Sequence, residues 1–340
     1  MMQKLSSSRL PWPTDWTALF GAVRPLVLEI GFGYGQFLQH LARTKPDANV
    51  IGLEIANQCL DSAERAIVRK HLTNVRVVQS MAETALHHLF VPGSLSEVHI
   101  NFPDPWFKKR HGHRRLIQRD TLDVLVSRLQ PNAMLYLATD IIEYAEMSAE
   151  LLRETSGLDN TLPADWANEM PGRVVTKYEG RALQDGRACY YFAYRRNQQA
   201  APDVPVGREI EMTHVVFNTP LTPDEILERF EAIEGTERKF GDIVVRMLHG
   251  YRGRKVLLFE VYIHESTLDQ HISLVIAPHD TPNEYTLKVG TMGYPRSTPG
   301  LQKAVASMAE WLMSLNQESK VVAHKLGDYA PPSLSEETEN

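Results

Sequence analysis

Three short stretches hold residue types from which a reactive site can be built: LEIGFGYGQF at 28–37, VIGLE at 50–54 and NFPDPWFKKRHGHRR at 101–115. In the first, Gly31, Gly33 and Gly35 allow a sharp turn and a close approach of ligand to backbone, with a helix N-terminus beginning near Gln36. Taken alone, such a loop is either a nucleotide pocket or a strand-to-helix turn and nothing more. Glu54 closes the next apolar run at the spacing where a carboxylate takes both ribose hydroxyls, and the two features together favour an adenosine-containing ligand. The glycines read G-x-G-x-G rather than the dinucleotide fingerprint G-x-G-x-x-G, and Glu29 stands two residues before the first of them. A carboxylate there repels pyrophosphate but attracts an amino group and a sulfonium, so S-adenosylmethionine is a better match than a nicotinamide cofactor.

The third stretch joins a fixed acid to a cationic run. Pro103 and Pro105 set φ on both sides of Asp104 and restrict the residues before them, so the carboxylate is held with little entropy left to lose. The plainer alternative is a rigid turn around a buried Trp106. Behind it come Lys108, Lys109, Arg110, Arg114 and Arg115, with His111 and His113, and no acid between Asp104 and Asp120. Such a run is either a solvated charged face or a positive patch for a polyanion, of which RNA is the natural candidate.

The elements that must position these groups are legible as apolar runs at Leu26–Ile30, Val50–Ile55, Val75–Gln79, Val98–Phe102 and Met134–Thr139, each followed by a helix-compatible segment. That alternation predicts an α/β fold, a mostly parallel sheet with helices on both faces. The glycine loop, Glu54 and the Pro-Asp-Pro loop follow the first, second and fourth runs. All three therefore fall at the carboxyl edge of the sheet, where open sheets of this kind bind ligands. RVVTKY at 173–178 and ACYYFAYRR at 188–196 are expected to close the sheet as an edge hairpin.

A chain of 340 residues with 43% hydrophobic content is long enough for two domains. Residues 1–200 hold 23 Lys and Arg against 21 Asp and Glu, whereas residues 201–340 hold 13 against 21, so the halves differ in kind. The polar stretch RRNQQAAPDVPVGRE at 195–209 marks the boundary. The expected division is a domain at 1–196, a linker at 197–209, a smaller α+β domain at 210–330 and a disordered acidic tail at 331–340. Cys59 and Cys189 offer neither a disulfide framework nor a metal cluster, and no run is long enough to span a bilayer. The expectation is a cytoplasmic protein with no membrane role and no metal.

LEIGFGYG, NFPDPWFKKRHGHRR, ATD at 138–140 and TKYEGR at 176–181, in that order, closely resemble the tRNA (guanine-N7)-methyltransferases, over about residues 20–196. The resemblance implies a class I methyltransferase (Rossmann-like) fold, S-adenosyl-L-methionine as cofactor and tRNA, not DNA, as partner. It puts Glu29, Glu54 and Asp104 at the cofactor pocket beside Gly31, Gly33 and Gly35, with Asp104 also the catalytic acidic residue. Lys108, Asp140, Thr176, Lys177, Tyr178 and Glu179 would contact the substrate, and Lys109, Arg110, Arg114 and Arg115 its phosphates. One position departs: VVQSMAE places Met81 where the family usually has an acid contacting the adenine. Met81 packs on a ring but accepts no amino hydrogen bond, leaving Ser80, Glu83 or a backbone carbonyl for that task.

The chemistry follows from the target atom. Guanine N7 carries an in-plane lone pair and no proton, so methyl transfer needs no general base and positioning dominates. Positive charge develops on the guanine as the methyl moves, and a fixed carboxylate such as Asp104 stabilises it more than the neutral ground state. Asp140 can accept from guanine N1–H and the 2-amino group, a pattern adenine lacks. Two alternatives stand beside this reading: a methyltransferase for another RNA base, and a non-catalytic RNA-binding protein on the same fold.

In the second half, Thr222, Pro223 and Glu225 spell a capping box with Pro at the first helical position, and Ile226, Leu227, Phe230 and Ile233 give one apolar face. Strand-like runs follow at DIVVRMLHG, RKVLLFEVYIHE, HISLVIA and EYTLKVG, then the helix-like LQKAVASMAEWLMSLN, in which Met308, Trp311 and Leu312 read as core. His214, His249, His264, His271 and His279 lack ligand spacing. Arg246, Arg252, Arg254 and Lys255 flank the turn HGYRGRK, either as a solvated hairpin tip or as a second tRNA contact.

Overall fold

The computed structural model describes residues 4–106 and 109–327, so Phe107, Lys108 and the tail expected at 331–340 lie outside the described residues, as do the side chains of Lys109, His111 and His113. Two units divide the chain, Met1–Gly207 and Arg208–Asn340.

In the first unit the elements run β1 Lys4–Ser6, α1 Trp16–Phe20, β2 Leu26–Ile30, α2 Gln36–Thr44, β3 Asn49–Glu54, α3 Asn57–Arg69, β4 Val75–Gln79 and α4 Ala82–His88. They continue as β5 Leu95–Asn101, a 3-10 helix at Lys109–Arg114, α5 Arg119–Arg128, β6 Leu129–Thr139, α6 Ile142–Glu154, β7 Leu158–Asn160, α7 Lys177–Gln184 and β8 Tyr190–Arg196. The sheet order is β1-β4-β3-β2-β5-β6-β8-β7. Strands β1 to β6 pair in parallel, and β8 is antiparallel to β6 and to β7.

All five residues of β2 are buried, as a central parallel strand with both faces covered requires. On one face Phe37, Leu38 and Leu41 of α2 pack with Leu60, Ala63 and Ile67 of α3. The approach is close: a Cβ on Gly52 would fall 2.6 Å from both Leu38 Cδ2 and Phe32 Cδ1. Chain order reverses at β2, with β3 on one side and β5 on the other, so the loops leaving β2 and β5 part and open a crevice at the carboxyl edge.

The expected edge hairpin does not form. RVVTKY pairs with nothing as a strand; it leads into α7, and the short β7 pairs with β8 instead. The reason is a second capping box: Thr176 Oγ1 accepts from Glu179 N, and the Glu179 carboxylate accepts from Thr176 N at 3.1 Å. Those two bonds satisfy a helix N-terminus where β-branched residues alone suggest a strand. The segment read as an exposed linker is bonded on both sides of residue 207. Arg128, with none of its surface exposed, donates to Leu86 O, Val204 O and Pro205 O at 2.8, 2.9 and 3.1 Å, and Gly207 N donates to His87 O. Beyond it, Ile210 N donates to Ser297 O, and Glu209 pairs with Arg296 at 3.2 Å.

The second unit comprises β9 His214–Asn218, α8 Pro223–Phe230, β10 Glu237–Phe240, β11 Ile243–Arg252, β12 Leu257–Glu265, β13 Leu268–Pro278, β14 Glu284–Val289, α9 Pro299–Ser314 and β15 Lys320–Lys325. Strands β9 to β15 form one antiparallel sheet, β10-β11-β12-β13-β14-β9-β15. Leu257, Phe259, Val261 and Ile263 alternate along β12 toward a core shared with Ile226 and Phe230 of α8 and Leu301, Val305, Met308 and Leu312 of α9. The Thr222–Glu225 capping box is present. Of the scattered histidines, His249, His264, His271 and His279 each face a carboxylate, on Glu234, Asp269, Glu260 and Glu284. At the HGYRGRK turn, Arg252 is tied to Asp224 at 2.7 Å, whereas Arg246, expected to flank the same turn, lies toward the other end of β11 and pairs with Glu237 of β10 at 2.6 Å.

Candidate active site

Gly31, Gly33 and Gly35 have φ of 71, 55 and 76°, the left-handed region, so the chain turns out of β2 and caps α2 within five residues. At Gly35 a Cβ would also stand 2.9 Å from the Ala63 Cβ, which brings α3 against the loop. Glu54, at the end of β3, fixes this turn: its Oε2 accepts from Gly33 N at 2.9 Å, and its Oε1 from Ile55 N and Ala56 N at 2.8 and 3.1 Å. Three of about four acceptor positions are thereby used, leaving room for one hydroxyl without rearrangement.

Below the loop an open cleft is lined by Glu29, the glycine loop, Tyr34, Phe37, Asn101, Thr176, Lys177 and Tyr178. Glu29 is 2% exposed; its Oε1 accepts from Asn101 Nδ2 at 3.1 Å, while its Oε2 has no partner among the described residues. Burial pushes the carboxyl up from its ordinary 4.5 to about 8, offset in part by the Asn101 hydrogen bond and Arg173 and reinforced by Glu54. A buried acid with one vacant oxygen is matched by a ligand cation, which restores the charge that burial disfavours. The site thus fits the ammonium of S-adenosylmethionine.

Beside Glu54, Ile55 and Met81 are 58% and 55% exposed at the ends of neighbouring strands β3 and β4. Two large apolar side chains left in solvent at one edge suit the flat face of an adenine. Ser80, 7% exposed, donates from Oγ to Met81 O at 2.9 Å.

The loop after β5 is strained. Phe102 and Trp106 have φ of 52 and 43°, in a region bulky residues rarely occupy, on either side of the two prolines. Phe102 N is held by Ala138 O at 2.7 Å. Arg115 clamps the other end, donating from Nε to Pro105 O at 3.0 Å and from its guanidinium to Trp106 O at 3.3 Å. Arg115 therefore spends its donors on the loop rather than facing outward as expected for a phosphate contact. Arg114 does face outward, its guanidinium 5.1 Å from the Trp106 ring, and Arg110 is exposed. Asp104 is exposed between these anchors.

Asp140, directly after β6, is ion-paired with Arg187, which also meets Asp185 at 3.0 Å. Lys177 Nζ lies 4.3 Å from the Tyr34 ring, and Tyr178, 53% exposed, reaches over Gly33. Of the four residues 176–179, Thr176, Lys177 and Tyr178 thus line the cleft. Thr176 and Glu179 are used to cap α7, with Glu179 buried and accepting from Tyr191 OH at 2.6 Å. Asn101, Arg115, Arg173 and Arg187 carry roles that spacing alone does not announce; the one signal was Asn101, a polar residue closing an apolar strand immediately before Pro-Asp-Pro.

Residues 23–192 match the model of a family described as "Putative methyltransferase". The tRNA (guanine-N(7)-)-methyltransferase of Cupriavidus metallidurans is 40% identical over 188 residues, 55% of this chain and 72% of its own length. Those of Syntrophotalea carbinolica and Burkholderia lata are 38% and 41% identical, covering 60% and 54% of this chain and 90% and 71% of their own. Among solved structures, the 16S rRNA methyltransferase KamB covers 58% of this chain and 100% of its own at 18% identity with a TM-score of 0.44, so the sequence relatives carry the assignment. Forty per cent identity over 188 residues, together with the family model over residues 23–192, shows that the chain belongs to the tRNA (guanine-N(7)-)-methyltransferase family.

Proposed function

We propose that the first unit transfers a methyl group from S-adenosyl-L-methionine to N7 of a guanine in the tRNA variable loop. The observation that carries this reading is the convergence on one edge of a cation-seeking buried acid, Glu29, and an exposed acid on a braced loop, Asp104. When bound, the cofactor supplies an electrophilic methyl on a sulfonium. The chain's own residues do the rest by position and charge. Glu29 orients the ammonium, Glu54 and the Ile55–Met81 edge take the adenosine, and Asp104 stands where positive charge appears on the base.

Substrate recognition falls to the neighbouring groups. Asp140 accepts from the guanine edge once Arg187 shares or yields its carboxylate, Lys177 and Tyr178 close over the glycine loop, and Arg114 and Arg110 hold phosphates. Base contacts by Asp140 and phosphate contacts by the arginines separate specificity from affinity. No helix among the described residues is long and apolar enough to cross a membrane. With two free cysteines and a tRNA substrate, a reducing cytoplasmic location is part of this proposal.

Incubation of the chain with labelled S-adenosylmethionine and unmodified tRNA tests the reading. Label in tRNA is expected. Binding of tRNA with no label transferred would favour the non-catalytic alternative.

A further inference from the structure

Arg173 does not line the cleft, yet it touches each part of the wall behind it. Its guanidinium lies 4.6 Å from the ring centre of Phe37 on α2 and 5.3 Å from that of Tyr191 on β8. One terminal nitrogen donates to Asn101 Oδ1 at 2.7 Å. Asn101 in turn donates from Nδ2 to Glu29 Oε1 at 3.1 Å.

The polarity of this chain of bonds is not arbitrary. A guanidinium has donors only, so it can meet Asn101 through the carbonyl oxygen and in no other way. The amide is then turned with its NH₂ toward Glu29, and the Glu29 oxygen must act as acceptor. Without Arg173 the amide is free to flip and present its carbonyl to a protonated Glu29, the form that burial favours. Arg173 thus keeps Glu29 Oε1 an acceptor whether or not the carboxyl is ionised, so that any proton must sit on Oε2, the oxygen a ligand cation would meet.

We propose that Arg173 is a positioning residue of the cofactor pocket: by gripping Asn101 through its carbonyl oxygen, it keeps Glu29 Oε1 an acceptor and leaves Glu29 Oε2 presented to the cofactor's ammonium. The inference rests on the assignment of the cleft to S-adenosylmethionine. The charged groups that bear on Glu29 are Arg173, on the segment before α7, and Glu54, at the end of β3; Arg173 favours the ionised acid and Glu54 opposes it. The sandwich of Phe37 and Tyr191 keeps the guanidinium in place and replaces water around it.

The test is calorimetric titration of S-adenosylmethionine into the full chain across pH, reading the pH midpoint of the affinity rather than the affinity alone. Arg173→Gln is expected to move the midpoint upward by about one pH unit, the scale of one lost charge and its hydrogen bond. Arg173→Lys keeps a donor-only group and is expected to restore most of the shift. In an Asn101→Ala background, Arg173→Gln should move the midpoint less, by the through-space effect of the lost charge alone, because the relay is already cut. A merely structural Arg173 would lower affinity at every pH and leave the midpoint alone. An unchanged midpoint in Arg173→Gln, or equal shifts with and without Asn101, overturns the inference. If Arg173→Gln fails to fold, Asn101→Ala must raise the midpoint and Arg173→Lys must leave it near that of the parent, or the inference is wrong. A parent chain that binds no S-adenosylmethionine overturns the pocket assignment together with this inference, whereas a parent that binds and variants that keep its midpoint overturn this inference alone.

Discussion

Replacing Glu29 by Gln removes one charge from a group that is 2% exposed and whose pKa stands near 8, and the consequences for binding and for stability have opposite signs. In the free protein at pH 7 only about one Glu29 in ten is ionised, so binding a cation there costs about 1.4 kcal/mol of deprotonation, and about twice that at pH 6. The dissociation constant of S-adenosylmethionine should therefore fall about tenfold per pH unit from pH 6 toward 8, with a proton released on binding, until the ligand's own ammonium begins to deprotonate. Glu29→Gln should show no such slope, and above pH 8 should bind about 10- to 150-fold more weakly, the worth of one hydrogen bond to a charged group. For stability of the free protein, the folded pKa lies above the unfolded 4.5. The contribution of neutral Glu29 is then full below 4.5 and is lost as pH rises through 8. The loss is of order 5 kcal/mol over that window, and the Gln variant escapes it, so denaturant curves of the two proteins should diverge as pH rises. Calorimetry in buffers of different ionisation enthalpy and urea titrations from pH 5 to 9 measure both effects. A parent affinity that is flat between pH 6 and 8, or a Gln variant with the same slope, would refute the assignment of Glu29 as the ammonium's partner.

Three further outcomes follow from the same site. Asp104→Asn should lower single-turnover methylation about 10- to 1000-fold with tRNA binding nearly unchanged, as for one lost electrostatic contact in a transition state; near-normal turnover removes Asp104 from the mechanism. Arg114→Ala should weaken all tRNAs alike and reduce the salt slope of binding by roughly 0.7 to 0.9, whereas Arg115→Met should leave that slope intact and reduce turnover by loosening the loop it clamps; equal salt effects in filter binding contradict the division. Met81→Asp should tighten S-adenosylmethionine by about 0.5 to 1.5 kcal/mol by giving the 6-amino group an acceptor that stays partly hydrated, and an unchanged affinity means residue 81 does not face the adenine.

The parallel sheet was readable because its central strands are uninterrupted apolar runs, and the cleft because glycines, Glu29 and Glu54 recur at the strand ends. β1 escaped notice: three residues, KLS, carry no period, and only pairing with β4 makes them a strand. Likewise β9 and β15 are short and half-polar, and they become strands only because each finds a neighbour in the second sheet. RVVTKY misled because β-branched residues speak for a strand locally, while the Thr176–Glu179 box acts over a distance of three and decides for a helix. The arginines show the same limit. Composition marks Arg114 and Arg115 as one basic run, yet carbonyls of the neighbouring loop take up Arg115 and leave Arg114 outside, and carbonyls from residues 76 and 77 positions away in sequence help bury Arg128. Where a guanidinium spends its donors depends on tertiary neighbours, and no sequence spacing records them.

The most direct test of the central claim is where the methyl group lands. Unmodified tRNA treated with the full chain and S-adenosylmethionine, then reduced with borohydride and cleaved with aniline, breaks at 7-methylguanosine because the N7 methyl makes the ring reducible and the glycosidic bond labile. The account predicts a single new break at a guanine in the variable loop, absent without cofactor and strongly reduced with Asp104→Asn. Label incorporated at another atom or another base, with no such break, would contradict it.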